Sequence, residues 1–234
     1  MATTKPVTLL TGGSTGIGAA TVQGLLERGH RVVTTGRDAG RLSALVKSLG
    51  DPWGLVTVAG DASDPEHVAR AVETTVEHFG KIDHVVANAG FSTHDTVTTG
   101  DPEAMRTMLL TNVMGPTLLV RESLEELKES GGRIVLIGSV AGVKNTPGNF
   151  YSVTKWAVHA LAENVRMLVT ESGVGVSLIA PGKVDTPFWD GRGGTPPGPV
   201  LSPEDVARTV QWVLEQPRGV DINTVTLRPV GQPN

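Results

Sequence analysis

Thr11-Gly12-Gly13-Ser14-Thr15-Gly16-Ile17-Gly18 decides how this chain is read. It follows directly on Val7–Thr11, an apolar, β-branched run with the character of a buried strand. It opens a helical stretch that reaches to about Arg28. Glycines at 12, 16 and 18 allow a turn too tight for a Cβ. They also let backbone N–H groups approach a pyrophosphate at a helix N-terminus, where the helix dipole favours negative charge. A ligand-free turn would use three glycines too. Their place between a strand and a helix is what points to a dinucleotide.

Outward from that turn, strand-like and helical stretches alternate to the end of the chain. Strands are predicted at 31–35, 55–59, 84–87, 133–137, 175–179 and 222–227. Asp38 caps a helix that runs to about Leu49. Asp64-Pro65-Glu66 starts another, closed by Gly80 after Phe79, with Asp at N-cap and Pro at N1. Asp101-Pro102-Glu103 opens a helix to about Glu129, with a kink expected near Gly115-Pro116. The next long helix covers 150–172. Ser202-Pro203-Glu204-Asp205 has the capping-box pattern, and Pro217 stops the helix it begins. Near-continuous apolar strands separated by helices predict an α/β, doubly wound Rossmann fold. Its sheet would be seven-stranded and mostly parallel, with helices on both faces. No linker interrupts the pattern, so 1–234 reads as a single domain. The Gly- and Pro-rich stretch 191–199 reads as an extended loop.

Bulk properties narrow the function. With 39% hydrophobic and 19% charged residues, the chain can bury a sizeable core. The net charge of −4, without a block of Lys or Arg, argues against a nucleic-acid partner. There is no cysteine and the six histidines have no metal-ligand spacing, so no metal is expected. Residues 1–6 leave no room for a leader before the first strand, and no apolar run approaches the roughly 20 residues needed to span a bilayer. A cytoplasmic location is the expectation that fits.

Two further places carry chemistry. Dinucleotide folds that take NAD often end strand two on an acidic residue, which accepts hydrogen bonds from the adenosine ribose. Here that position is Gly36, and Arg37 follows. A missing carboxylate beside a guanidinium favours the 2′-phosphate of NADP(H), with Arg41 one helical turn on to assist. A solvated surface charge is the plainer reading of Arg37 alone. Secondly, Tyr151 and Lys155 stand four apart on a predicted helix and so share a face. A neighbouring ammonium favours the phenolate, so Lys155 is expected to lower the Tyr151 pKa and make it a general acid and base for a carbonyl/alcohol pair. Tyr151 is the only tyrosine in the chain. Ser139, at the end of strand five, is placed to hydrogen-bond a substrate oxygen as it gains charge.

With these residues in hand, the chain resembles the short-chain dehydrogenase/reductase family over nearly its whole length. The T-G-x-x-x-G-x-G segment is Thr11 to Gly18. The resemblance implies that Gly12, Ser14, Thr15, Gly16, Ile17 and Gly18 hold the cofactor, with Gly36 and Arg37 at its adenosine end. Asp61 matches the family aspartate that bonds the adenine, with Ala62 beside it. Asn88-Ala89-Gly90 is the N-A-G motif. Asn112 matches the asparagine whose backbone carbonyl holds a water in a proton relay. Ser139, Tyr151 and Lys155 match the catalytic serine, tyrosine and lysine, the last two also touching the cofactor. Pro181, Gly182, Val184 and Thr186 fall in the segment that packs on the nicotinamide.

The implied activity is NADP(H)-dependent interconversion of a carbonyl and an alcohol by a homodimer or homotetramer built on the two long helices. The stretch 222–230 is similar to that of members acting on short 3-hydroxy acids and related alcohols. A 3-ketoacyl thioester reductase or a non-catalytic NADP(H) sensor are the alternatives. One departure stands out. Ser139 and Tyr151 are twelve apart, one fewer than the family spacing, which should reshape the pocket more than the chemistry. His94, Phe188, Trp189 and Arg192 are candidates to border the substrate, although Phe188 and Trp189 would equally pack under the 191–199 loop.

Overall fold

Leu9 and Leu10 are neighbours in the first strand and both fully buried, yet they enter different cores. The computed structural model, which describes residues 5–233 with the Arg192 side chain excepted, repeats this arrangement strand after strand. Successive side chains of a strand point to opposite faces, so a run buried on both sides has no polar positions to alternate with. Leu9, Val33, Val85, Ile134 and Val176 face one core, and Leu10, Val32, Val86, Val135 and Ile179 face the other.

The strands are β1 (Val7–Thr11), β2 (Arg31–Gly36), β3 (Leu55–Ala59), β4 (His84–Ala87), β5 (Arg133–Ile137), β6 (Gly175–Pro181) and β7 (Thr224–Leu227). They form one seven-stranded sheet in the order β3-β2-β1-β4-β5-β6-β7. Every neighbouring pair is parallel, so the sheet is parallel throughout rather than mostly so. The chain reverses its winding between β1 and β4, which opens a crevice beyond their C-terminal ends.

The helices are α1 (Gly16–Glu27), α2 (Ala39–Ser48), α3 (Pro65–Phe79), α4 (Pro102–Leu109), α5 (Gly115–Ser130), α6 (Phe150–Val169) and α7 (Pro203–Leu214). Val22, Leu45 and Val210 place α1, α2 and α7 on one face, and Val68, Leu119 and Val158 place α3, α5 and α6 on the other. Asp38, Asp64 and Asp101 each accept a backbone N–H at a helix start, and Ser202 with Asp205 closes the capping box. Each satisfies a donor that the first helical turn leaves without a partner.

The structure moves several expected boundaries. The α6 helix ends at Val169 and its last turn, Thr170–Ser172, is a 3-10 helix. β6 runs on to Pro181 because β7 pairs Pro181 with Leu227. β7 itself begins at Thr224. The start of the 191–199 loop is drawn into a 3-10 turn, Pro187–Arg192. The expected kink before Pro116 is a π-helical turn, Leu110–Met114, in which the Gly115 N–H bonds the Leu110 carbonyl. Proline has no N–H to give the carbonyl of Asn112, so the α-helical ladder is interrupted there.

Candidate active site

The C-terminal ends of the central strands surround a cleft of about 710 Å³. Every residue expected to hold a cofactor lines it, as do Ser139, Tyr151 and Lys155. At its floor, the turn after β1 is pinned to the end of β4. Asn88 Nδ2 donates to the carbonyls of Thr11 (3.0 Å) and Gly12 (2.9 Å), while Thr11 Oγ1 accepts the amides of Asn88 and Ala89, both at 3.2 Å. The glycines answer to this packing. A Cβ on Gly12, whose φ is 73°, would lie 2.8 Å from Ala89 Cα, and one on Gly18 would lie 2.1 Å from the Gly12 carbonyl oxygen.

At the β2 end of the cleft, Gly36 is buried and Arg37 is exposed. The Arg37 guanidinium stands 5.6 Å over the Phe91 ring, and Arg41 joins it in the lining. Asp61 Oδ1 accepts both the amide (2.8 Å) and the hydroxyl (2.7 Å) of Ser63. Burial works against ionisation of Asp61. The two Ser63 bonds, aided by the charges of Arg37 and His67, outweigh it and hold the carboxyl below its ordinary value.

At the other end, Ser139 lies near enough to Tyr151 to act on its phenol, so the shortened loop between them still brings the two side chains together. That loop is tied to the segment after β4 by a bridge between Thr96 and Asn149, and Asn149 caps α6 through the Ser152 amide at 2.9 Å. Lys155 is buried and donates to the Ile137 carbonyl at 2.8 Å, with its Nζ 5.7 Å from the centre of the Tyr151 ring. Of the expected catalytic and cofactor-binding residues, Asn112 alone does not line the cleft. Its side chain is spent on structure: Oδ1 accepts the Phe91 amide (3.0 Å), and Nδ2 donates to the Phe91 carbonyl (2.9 Å) and to Thr154 Oγ1 (3.0 Å).

Residues 6–195 match the family model for short chain dehydrogenase. The chain belongs to that family. An uncharacterised oxidoreductase of Staphylococcus saprophyticus is 37% identical to this dehydrogenase over 233 residues, covering 96% of this chain and 97% of the relative. Among solved structures, an alcohol dehydrogenase from the archaeon Thermococcus sibiricus, complexed with 5-hydroxy-NADP, superposes with a TM-score of 0.89. It is 29% identical and the match covers 98% and 99% of the two chains. A 3-ketoacyl-(acyl-carrier-protein) reductase from Brucella melitensis, complexed with NADH, gives a TM-score of 0.86 at 25% identity, over 95% and 96% of the chains.

The electrostatics of the short-chain dehydrogenase's site correct one expectation. Burial pushes the Tyr151 phenol up to about 12, against the opposing pull of the Ser139 hydrogen bond. Burial also pushes the Lys155 ammonium down to about 8. Burial therefore dominates the phenol here, and the net lowering expected from Lys155 is not what this site shows. Desolvation disfavours both charged forms, and the amine is directed to Ile137.

Some lining residues were missed by the sequence reading. Gln232 reaches the cleft from the C-terminal segment, and its Oε1 accepts the Lys183 amide at 2.9 Å. Phe91 and Asn149 also line it. Asn149 could have been found as an asparagine one residue before a helix. Gln232 owes its place to β7 lying beside β6, which no local pattern announces. His94, Phe188 and Trp189 line the cleft, with Phe188 against the Tyr151 ring. The Arg192 side chain lies outside the described residues. Among those described, no helix is long and apolar enough to cross a membrane, and no group of three His, Asp or Glu is placed to hold a metal ion.

Proposed function

We propose that this oxidoreductase interconverts a carbonyl and a primary or secondary alcohol using NADP(H). One observation carries the reading: Ser139, Tyr151 and Lys155 converge at one end of a cleft whose other end presents Arg37 and Arg41 beside Gly36. The lining fits a dinucleotide. The α1 N-terminus and its glycine turn suit a pyrophosphate, and a guanidinium beside a position without a carboxylate suits a 2′-phosphate. The neighbours complexed with 5-hydroxy-NADP and with NADH support a nicotinamide dinucleotide, and Gly36-Arg37 supports the phosphorylated one.

When bound, the reduced nicotinamide supplies the hydride. The protein's part is to place and move a proton. The Ser139 hydroxyl and the Tyr151 hydroxyl hold the substrate oxygen. A phenol pushed up to about 12 keeps its proton near neutrality, so Tyr151 is charged with the proton it must give. As the substrate oxygen becomes an alkoxide, the Tyr151 hydroxyl protonates it, and the Lys155 ammonium stabilises the phenolate left behind. Lys155 and the Asn112 carbonyl, relieved of its helical donor by Pro116, resupply the proton through water. Asp61 accepts hydrogen bonds at the adenine. The same chain units meet as a homodimer or homotetramer through the α4–α6 side of the molecule.

Two substitutions test this. Tyr151→Phe should lower kcat by about 10²–10⁴-fold, the usual worth of a general acid, with little change in NADPH affinity. A variant with normal turnover would end the assignment. Arg37→Ala should raise the KM for NADPH by roughly 10–100-fold, the worth of hydrogen bonds to a charged group, and leave that for NADH in place. Wild-type enzyme equally efficient with NADH and NADPH would refute the role of Arg37.

A further inference from the structure

His94 stands at φ 62°, a left-handed conformation that is strained for a residue with a Cβ. It is held there from across the cleft. Its Nε2 lies 3.0 Å from the Phe188 carbonyl oxygen, and since a carbonyl only accepts, Nε2 is the donor. The imidazole stacks on the Trp189 indole, centroids 5.5 Å apart and planes 17° from parallel, and meets the Phe188 ring edge-on at 5.0 Å. The His94 amide donates to Ser92 Oγ at 2.9 Å. Trp189 is anchored in turn, its Nε1 donating to the Val184 carbonyl at 2.9 Å. Phe188 completes the arrangement with its ring 5.4 Å from that of Tyr151. One imidazole thus joins the loop after β4 to the turn after β6, and the three-ring cluster it makes reaches the phenol through Phe188.

Lys155 apart, the charges of the cleft lie away from these rings. Among the described side chains, Arg37, Asp38, Arg41 and Asp61 belong to its β2 end, while Lys155, beside the Tyr151 ring, and Lys183 each donate to a carbonyl oxygen, of Ile137 and Pro197. A carboxylate pressed against the aromatic wall would lose its hydration without gaining a partner, whereas a flat apolar group gains offset or edge-on ring contacts.

We infer that His94 is a positioning residue that latches Phe188 and Trp189 over the Tyr151 phenol, and that this wall selects carbonyl compounds bearing an uncharged, flat apolar substituent over short oxo acids. The inference rests on the carbonyl-reductase reading above and narrows its substrate.

The test measures turnover and binding separately. With NADPH, acetophenone is compared with a pair that differs in charge, ethyl acetoacetate and acetoacetate. The expected kcat/KM for acetophenone exceeds that for acetoacetate by about tenfold or more, the scale of one aromatic contact. His94→Asn keeps a residue tolerant of positive φ but loses the ring. It should raise the KM for acetophenone about tenfold with a much smaller change in kcat and in NADPH affinity. Binding is read from tryptophan emission of the NADP⁺-loaded protein. Trp53, Trp156 and Trp212 are exposed, so the contribution removed by Trp189→Phe should carry the response to acetophenone. Acetoacetate used as well as its ethyl ester overturns the proposal, as does a His94→Asn enzyme with an unaltered preference. A Trp189 response without turnover supports the wall and counts against the reaction assigned to Tyr151. Turnover without a Trp189 response counts against the wall alone.

Discussion

The Lys155 amine sits under the cleft with its hydrogen bond directed to Ile137, and burial holds its pKa near 8 against an ordinary 10.5. The sign of the consequence follows from proton counting. Between pH 8 and 10 the unfolded chain keeps a proton on Lys155 that the folded protein gives up, so this group makes stability rise with pH through that window. Lys155→Met, similar in length and without charge, should remove the rise. Urea denaturation of the cofactor-free proteins should show the wild type gaining on the order of 2 kcal/mol relative to the variant from pH 8 to 10. Parallel curves for the two proteins would contradict it. The pairing of Tyr151 with Lys155 was legible in the sequence, because helical spacing alone puts residues four apart on one face. The direction of their titration was not. Desolvation depends on which elements close over a side chain, and Ile137 and Phe188 come to this pair from distant strands and turns. His94 and Phe188 meet across ninety-four positions, a contact no local pattern specifies.

At the opposite edge of the sheet, His30 precedes β2 and His84 begins β4, on either side of β1. Their rings lie 5.8 Å apart, and the Thr8 hydroxyl meets His30 Nδ1 at 3.1 Å. His84 Nδ1 is buried with no hydrogen-bond partner. Burial, then the neighbouring charge of His30, push the His84 imidazole down to about 4, with Asp83 opposing and Arg133 and Lys81 adding to the fall. His30 is lowered as well, again by burial first, with Glu215 and Asp83 opposing and Arg28 assisting. Between pH 4 and 6.5 the unfolded chain therefore binds more protons, and stability present above 6.5 is lost as pH falls through that window. His84→Phe should flatten this acid limb by on the order of 2 kcal/mol, read from thermal or urea unfolding at pH 4.5 and 7. An unchanged limb would assign it to other groups. Elements whose ends carry their own chemistry, such as α3 between Asp64 and Gly80, could be bounded from sequence. Those whose ends are set by partners could not. β6 gains two residues from pairing with β7, and Pro116 announces an interruption without saying that the freed carbonyls regroup as a π turn.

At the scale of the whole molecule, several large apolar side chains left in solvent recur along packed neighbours. Leu109, Leu110 and Met114 are 41%, 37% and 45% exposed at the end of α4 and in the π turn, and Trp156 and Leu168 on α6 are 45% and 71% exposed. Exposed apolar groups gathered on adjoining elements are the usual mark of a surface that another protein covers. These lie on the helices from which the sequence predicted self-association, and α6 also carries Tyr151 and Lys155. Trp156 follows Lys155 directly, so a partner packed on it would stiffen the turn that holds the proton-transfer pair. Sedimentation equilibrium should therefore give a mass of two or four times 24.5 kDa. Trp156→Glu should weaken association about tenfold or more, as expected when an anchoring tryptophan is replaced by a charge, and make the melting temperature depend on protein concentration. Its activity should fall on dilution and return on concentration, which a direct defect in the cleft would not do. A wild-type mass of one chain would mean that these side chains face water without a partner, and the rigidity of the Tyr151–Lys155 turn would have to come from α6 and the cleft alone.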